Sequence, residues 1–277
     1  MLPGLRSRSH IAPFRLHRPA STAAAVALRE DLPGAEFMAG GLDLIGRMKW
    51  GEAIPDVLHL GGIPGLAAIA RQGGGLRIGA LATHAAIAAA PDVAAMLPDL
   101  AALWPLVANP RIRFTATLGG NIMAGHPGYD GLPALLALGA RLEVATVAGT
   151  EEIAAADLGA AGSPLVTSAL LPAGNWLLAE RSLKPILIAW LGLAVTEGRV
   201  TAACLGLGGA HPAAMGLELP IAGTAVAALG GIAADTGDWV AAALPAPRSD
   251  GLGSAAYRRR MAGVLARRLL IRAGARA

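Results

Sequence analysis

Two glycine pairs stand where backbone N–H groups could converge on an anion. The first lies in Phe37-Met38-Ala39-Gly40-Gly41-Leu42-Asp43-Leu44 and the second in Ala116-Thr117-Leu118-Gly119-Gly120-Asn121-Ile122; each follows a stretch that reads as a short apolar strand. A diphosphate needs several N–H donors at close range. Glycine permits this by entering positive φ and by having no side chain in the way. A helix that follows adds its free N–H groups and the favourable end of its dipole. Two such loops could grip the diphosphate of a dinucleotide from two sides. Neither matches G-x-G-x-x-G or G-x-x-x-x-G-K-[ST], which leaves Rossmann, P-loop and free-standing NAD-dependent readings without support. Because the chain has 37 Gly, either pair alone also reads as an ordinary turn.

The remaining reactive side chains exclude more than they suggest. Cys204 is the single Cys, which rules out an internal disulfide framework and a four-Cys iron–sulfur cluster ligated by this chain alone. His84 and His126 have no second His or carboxylate at ligand spacing, so no metal site is expected. No G-x-S-x-G elbow supports hydrolase chemistry. Asp130 precedes a helical pattern and is placed to cap it, and Tyr129 beside it reads as a packing residue.

The 277 residues are 54% hydrophobic and only 15% charged, which excludes intrinsic disorder and gives a soft expectation of two domains. The net charge of +4 is carried almost wholly by Arg, Lys49 and Lys184 being the only lysines. The densest cluster, Arg258 to Arg272, has only Tyr257 beside it, so no nucleic-acid partner is expected. The longest apolar run, Ile186 to Val195, falls short of the roughly 18 residues of a membrane span. The start carries Arg6, Arg8, Arg15 and Arg18 but no apolar core of a signal peptide, and the expected location is cytoplasmic.

Positioning these residues are alternating short strands and helices. Residues 1–13 read as a loose lead. Strands are expected over 14–16, 36–39, 56–60, 76–80 and 141–147. Helices are expected from the Ser21 cap to Arg29 and over 42–50, 84–90, 96–108 and 132–138. A boundary is placed between Ala160 and Trp176. Beyond it, 177–182, 186–195 and 200–207 read as strands, with Glu197-Gly198 as a turn, followed by helices over 222–229, 232–244 and 255–273.

Several of these segments together resemble the FAD-binding medium subunit of the molybdenum hydroxylases, the carbon monoxide dehydrogenase and xanthine dehydrogenase type. Ala39-Gly40-Gly41 with Asp43-Leu44-Ile45, Met48-Lys49 and Pro55 resembles the first flavin loop. Leu76-Arg77-Ile78-Gly79-Ala80 with Thr83-His84 resembles the next signature, and Ile112-Arg113 with Ala116 to Asn121 the second flavin loop. Asp130 to Ala140 resembles the segment after it. Tyr257-Arg258-Arg259 with Leu265 and Arg267-Arg268 resembles the C-terminal helix.

The resemblance implies an α+β protein: a two-subdomain, PCMH-type FAD-binding α/β domain over 14–170, then a C-terminal antiparallel sheet with helices over 171–277. It implies that Ala39, Gly40, Gly41, Leu42 and Asp43, with Thr117, Leu118, Gly119, Gly120 and Asn121, wrap the FAD. It further implies that Asp130 accepts from the nucleotide and that Val166 offers a backbone contact to the flavin ring. The implied partners are a large molybdopterin-binding subunit, a small subunit carrying [2Fe–2S] clusters and an external electron acceptor. Electrons would pass from the clusters to FAD and onward, with no acid or base from this chain. Leu42 and Phe114 stand where the family has polar residues, which motivates the alternative of a scaffold subunit that has lost FAD. Lys184 is the candidate for a lysine that some members place near the flavin.

Overall fold

Ser21 accepts the Ala24 N–H at 3.1 Å, and this cap starts the first helix of a small βαβαβ unit. The structure is a computed structural model that describes residues 11–161, 164–181 and 185–276. Strand β1 (Arg15–His17), helix α1 (Thr22–Asp31), strand β2 (Ala35–Met38), helix α2 (Leu42–Lys49) and strand β3 (Asp56–His59) follow in order. The three strands form a parallel sheet in the order β1-β3-β2. Helix α2 buries Leu44 and Met48 against Ile54 and Val57.

A second unit opens with β4 (Ile69–Gln72) and β5 (Gly75–Gly79), then runs through short helices. These are α3 (His84–Ala89), α4 (Pro91–Met96), α5 (Pro98–Leu103), α6 (Pro110–Arg113), α7 (Leu118–Met123) and α8 (Gly131–Ala137). It closes with β6 (Arg141–Thr146), β7 (Gly149–Ala154) and β8 (Leu165–Leu171). The five strands pair antiparallel in the order β4-β5-β8-β6-β7.

The helix expected over 96–108 is replaced by α4, α5 and a 3₁₀ turn at Trp104–Leu106. Pro98 and Pro105 lack the N–H that a continuous helix needs, and Pro98 starts a new helix instead. The interval read as a boundary contains β8, which lies between β5 and β6.

The third unit is antiparallel: β9 (Trp176–Glu180), β10 (Ile188–Thr196), β11 (Arg199–Gly208) and β12 (Met215–Glu218), followed by α9 (Leu229–Ala243) and α10 (Ala255–Gly274). The helix expected over 222–229 is only a 3₁₀ turn, Val226–Ala228. Strand β10 is buried on both faces. Ile188 and Trp190 join the core that holds Leu118, Leu135 and Trp104, while Leu191 and Leu193 join the core under α9 and α10. The period of two in a strand thus welds the third unit to the second.

Candidate functional site

The first glycine loop leaves β2 and turns at Gly41, whose φ of 76° favours glycine. Gly41 is the N-cap of α2, and the Ile45 N–H is the first to find a helical acceptor, the Gly41 carbonyl at 2.9 Å. Among the described residues, no acceptor lies on the backbone N–H groups of Leu42, Asp43 and Leu44. These donors end at a cleft of about 560 Å³. Gly40 closes the cleft floor: a Cβ there would sit 1.9 Å from the Thr115 carbonyl oxygen. The two glycine loops therefore touch, backbone to backbone.

The second pair is built differently. No strand precedes it; Gly119 and Gly120 lie in the first turn of α7, capped by Thr117. The Thr117 hydroxyl accepts from the Gly120 N–H at 3.1 Å. The N–H groups of Leu118 and Gly119 donate to the carbonyls of Ala82 (3.0 Å) and Ala80 (2.8 Å). Of the two expected N–H cradles, only the first is open. The second supplies a wall without a side chain at Gly120, where a Cβ would lie 3.0 Å from the Thr117 hydroxyl oxygen and 3.9 Å from the Cβ of Ala39, together with the Thr117 hydroxyl and the Asn121 amide. Asn121 accepts the Gly131 N–H at 2.9 Å, tying α7 to α8.

Ala39, Gly40, Gly41, Leu42, Asp43, Thr117, Gly119, Gly120, Asn121, Asp130 and Val166 all line the cleft. Leu118 does not: its side chain is buried in the core with Leu135 and Ile122. Phe114 is 75% exposed and is absent from the cleft wall. Lys184 lies outside the described residues.

Asp130 makes no helix-capping bond. Its buried carboxylate accepts from Arg181 Nε at 3.0 Å, Arg181 Nη2 at 3.1 Å and Trp190 Nε1 at 3.2 Å. Burial raises its pKa, and the Arg181 guanidinium opposes that rise. Arg181 lines the same cleft and was not singled out by sequence, since no local pattern ties it to an aspartate 51 residues earlier.

Tyr129 also lines the cleft, with its ring 4.6 Å from that of His126. Burial and the charge of Asp43 raise the pKa of its phenol. His84 is fully buried beside Trp104 and directly under the second loop, where its backbone N–H donates to the Ala116 carbonyl at 3.0 Å. No group of three or more possible metal ligands occurs among the described residues.

Open N–H donors facing a bare glycine wall fit a nucleotide diphosphate. A family model, the FAD binding domain in molybdopterin dehydrogenase, matches residues 12–167. The chain belongs to this family. It is 36% identical to the carbon monoxide dehydrogenase medium chain of Afipia carboxidovorans over 95% of its own length and 98% of the other's. It is 37% identical to the nicotine 6-hydroxylase medium subunit of Paenarthrobacter nicotinovorans, over 52% of each chain. A chain of reconstituted CO dehydrogenase from Oligotropha carboxidovorans superposes with a TM-score of 0.84 at 32% identity, covering 97% of this chain and 100% of that one. The relatives are oxidoreductase subunits, the fold is α+β, and the chain carries an FAD-binding domain.

Proposed function

We propose that this chain holds FAD in the cleft between its two glycine loops and relays electrons from [2Fe–2S] clusters on a small partner subunit to an external acceptor. A large molybdopterin-binding subunit carries out the substrate chemistry, in a cytoplasmic complex. The observation that carries this reading is the set of open N–H groups at Leu42, Asp43 and Leu44, facing the Gly120 wall. The single Cys supports it from another side, because the clusters must then sit on another chain. The names of the relatives, a medium chain and a medium subunit, support a multi-subunit complex.

Bound FAD supplies a carrier that accepts and releases electrons. The chain's own residues bind and orient it. The α2 N–H groups and the positive end of the helix dipole meet the diphosphate. The Thr117 hydroxyl and Asn121 amide flank it, and Val166 on β8 lines the wall beyond. The division near residue 170 into an FAD domain and a C-terminal domain belongs to the same proposal.

The scaffold alternative loses its motivation at both departures. Leu42 contributes a backbone N–H, which its side chain does not remove, and Phe114 is off the cleft wall. The test is a flavin absorbance band in the purified complex, followed by titration with FAD. A fully assembled complex that shows no flavin, even after reconstitution, would overturn the reading.

A further inference from the structure

A carboxylate offers about four acceptor positions. Three of those on Asp130 are taken by Arg181 and Trp190, so little of it is left for a ligand. Arg181 is in the opposite state. A guanidinium has five N–H groups. Here Nε and one Nη2 hydrogen go to Asp130 and one Nη1 hydrogen goes to the Leu106 carbonyl. One N–H on each Nη remains unclaimed among the described residues, on a side chain that is 17% exposed and sits on the cleft wall. Among the described residues, the other cation of the wall, Arg47, is shared between Glu36 and Glu52.

We infer that Arg181 is the ligand-facing member of this network: its unclaimed N–H groups donate to an acceptor of the bound flavin nucleotide. Asp130, Trp190 Nε1 and the Leu106 carbonyl form the frame that fixes the guanidinium plane. Asp130 is then a positioning residue that acts through Arg181. The frame is specific for arginine, because two parallel bonds from Nε and Nη2 to one carboxylate need the planar fork that lysine lacks. The inference rests on the flavin reading and sharpens it.

The test uses the purified complex carrying the full wild-type chain or one of four variants: Arg181→Lys, Arg181→Gln, Asp130→Asn and the double variant Asp130→Asn/Arg181→Gln. The double variant removes the buried carboxylate and its partly exposed partner together, so neither charge is left unpaired. FAD and riboflavin are titrated by flavin fluorescence, the midpoint potential of the bound flavin is measured, and folding is followed by thermal melts. Arg181→Gln, Arg181→Lys and the double variant are expected to weaken FAD about tenfold or more, the scale of one hydrogen bond from a charged donor. Asp130→Asn is expected to cost less, because the cation stays on the Leu106 carbonyl. If riboflavin binding is unchanged in the Arg181 variants, the contact is to the diphosphate or the adenosine. If riboflavin weakens in parallel and the potential falls, the contact is to the flavin ring or ribityl chain. Either result supports the donor role. A folded double variant that binds FAD within about threefold of wild type overturns it. So does an Asp130→Asn loss larger than that of Arg181→Gln. A wild-type complex that takes up no FAD, even after reconstitution, overturns the flavin reading itself.

Discussion

Gly40 and Gly41 are neighbours that are glycine for different reasons. Gly41 needs its backbone angle, whereas Gly40 needs its missing side chain so that the Thr115 carbonyl can come close. Gly120 has a third reason. It is helical, so its value lies in the bare surface it gives the cleft. Gly120→Val is therefore expected to abolish flavin binding while the melting temperature moves by only a few degrees, roughly the effect of 1 kcal/mol. Absorbance of the purified variant at the flavin band checks this, and stoichiometric flavin would remove Gly120 from the cradle. His84 makes a prediction about acid. Burial, helped by the Arg113 charge, lowers its pKa from 6.5 to about 4. The unfolded chain thus binds a proton that the folded chain refuses between those values. Stability is intact above pH 6.5 and falls as the pH drops toward 4, by about 3 kcal/mol at most. Urea unfolding at intermediate pH values checks this, and His84→Phe should flatten that part of the profile.

At the scale of elements, the site hangs on how α8 seats against β10 and β11. A Cβ at Gly192 would lie 1.8 Å from the Ala137 carbonyl oxygen, and one at Gly206 would lie 1.9 Å from that of Pro133. Gly206→Ala must push α8 outward, at a cost of about 1–3 kcal/mol. Because Asp130 leads into α8, the same variant should also lose flavin; denaturant melts and flavin content measure the two effects together. Much of this architecture was legible in the sequence. The Ser21 cap, the α2 periodicity and the Glu197-Gly198 turn, with φ of 51° and 72°, located α1, α2 and the β10–β11 hairpin within a residue or two. Strands β4, β7 and β12 were not legible; all three lie at sheet edges, β4 and β12 are only four residues long, and β7 is exposed along most of its length and so carries no apolar alternation. Strand β8 was hidden because Pro164 and Pro172 bracket it, which reads as a linker. Both glycine loops were visible as residues, but the closed state of the second depends on carbonyls of Ala80 and Ala82, which no local pattern reveals. Arg181 and Trp190 were invisible as partners of Asp130 for the same reason.

Across the whole molecule, the core under the second loop is not completed by the second unit alone. Leu177, Ile188 and Trp190 come from the third unit and are fully buried among Leu118, Leu135 and Leu138. A fragment ending at Leu171 would expose that face, and it is expected to bind a hydrophobic dye and to melt without a cooperative transition. A sharp melt of that fragment, comparable to the full chain, would show the FAD domain to be self-sufficient. The Trp190–Asp130 bond also sets an order in time. The two residues are 60 positions apart in the chain. Ribosomes add about 5–20 residues per second, so the indole donor that completes the Asp130 cluster is polymerised about 3–12 s after the aspartate it binds. During that interval both glycine loops exist, but Arg181 and the Trp190 donor that frame Asp130 are not both in place. The Asp130 side of the cleft is thus assembled only once the third unit has begun to form, although the aspartate itself belongs to the second.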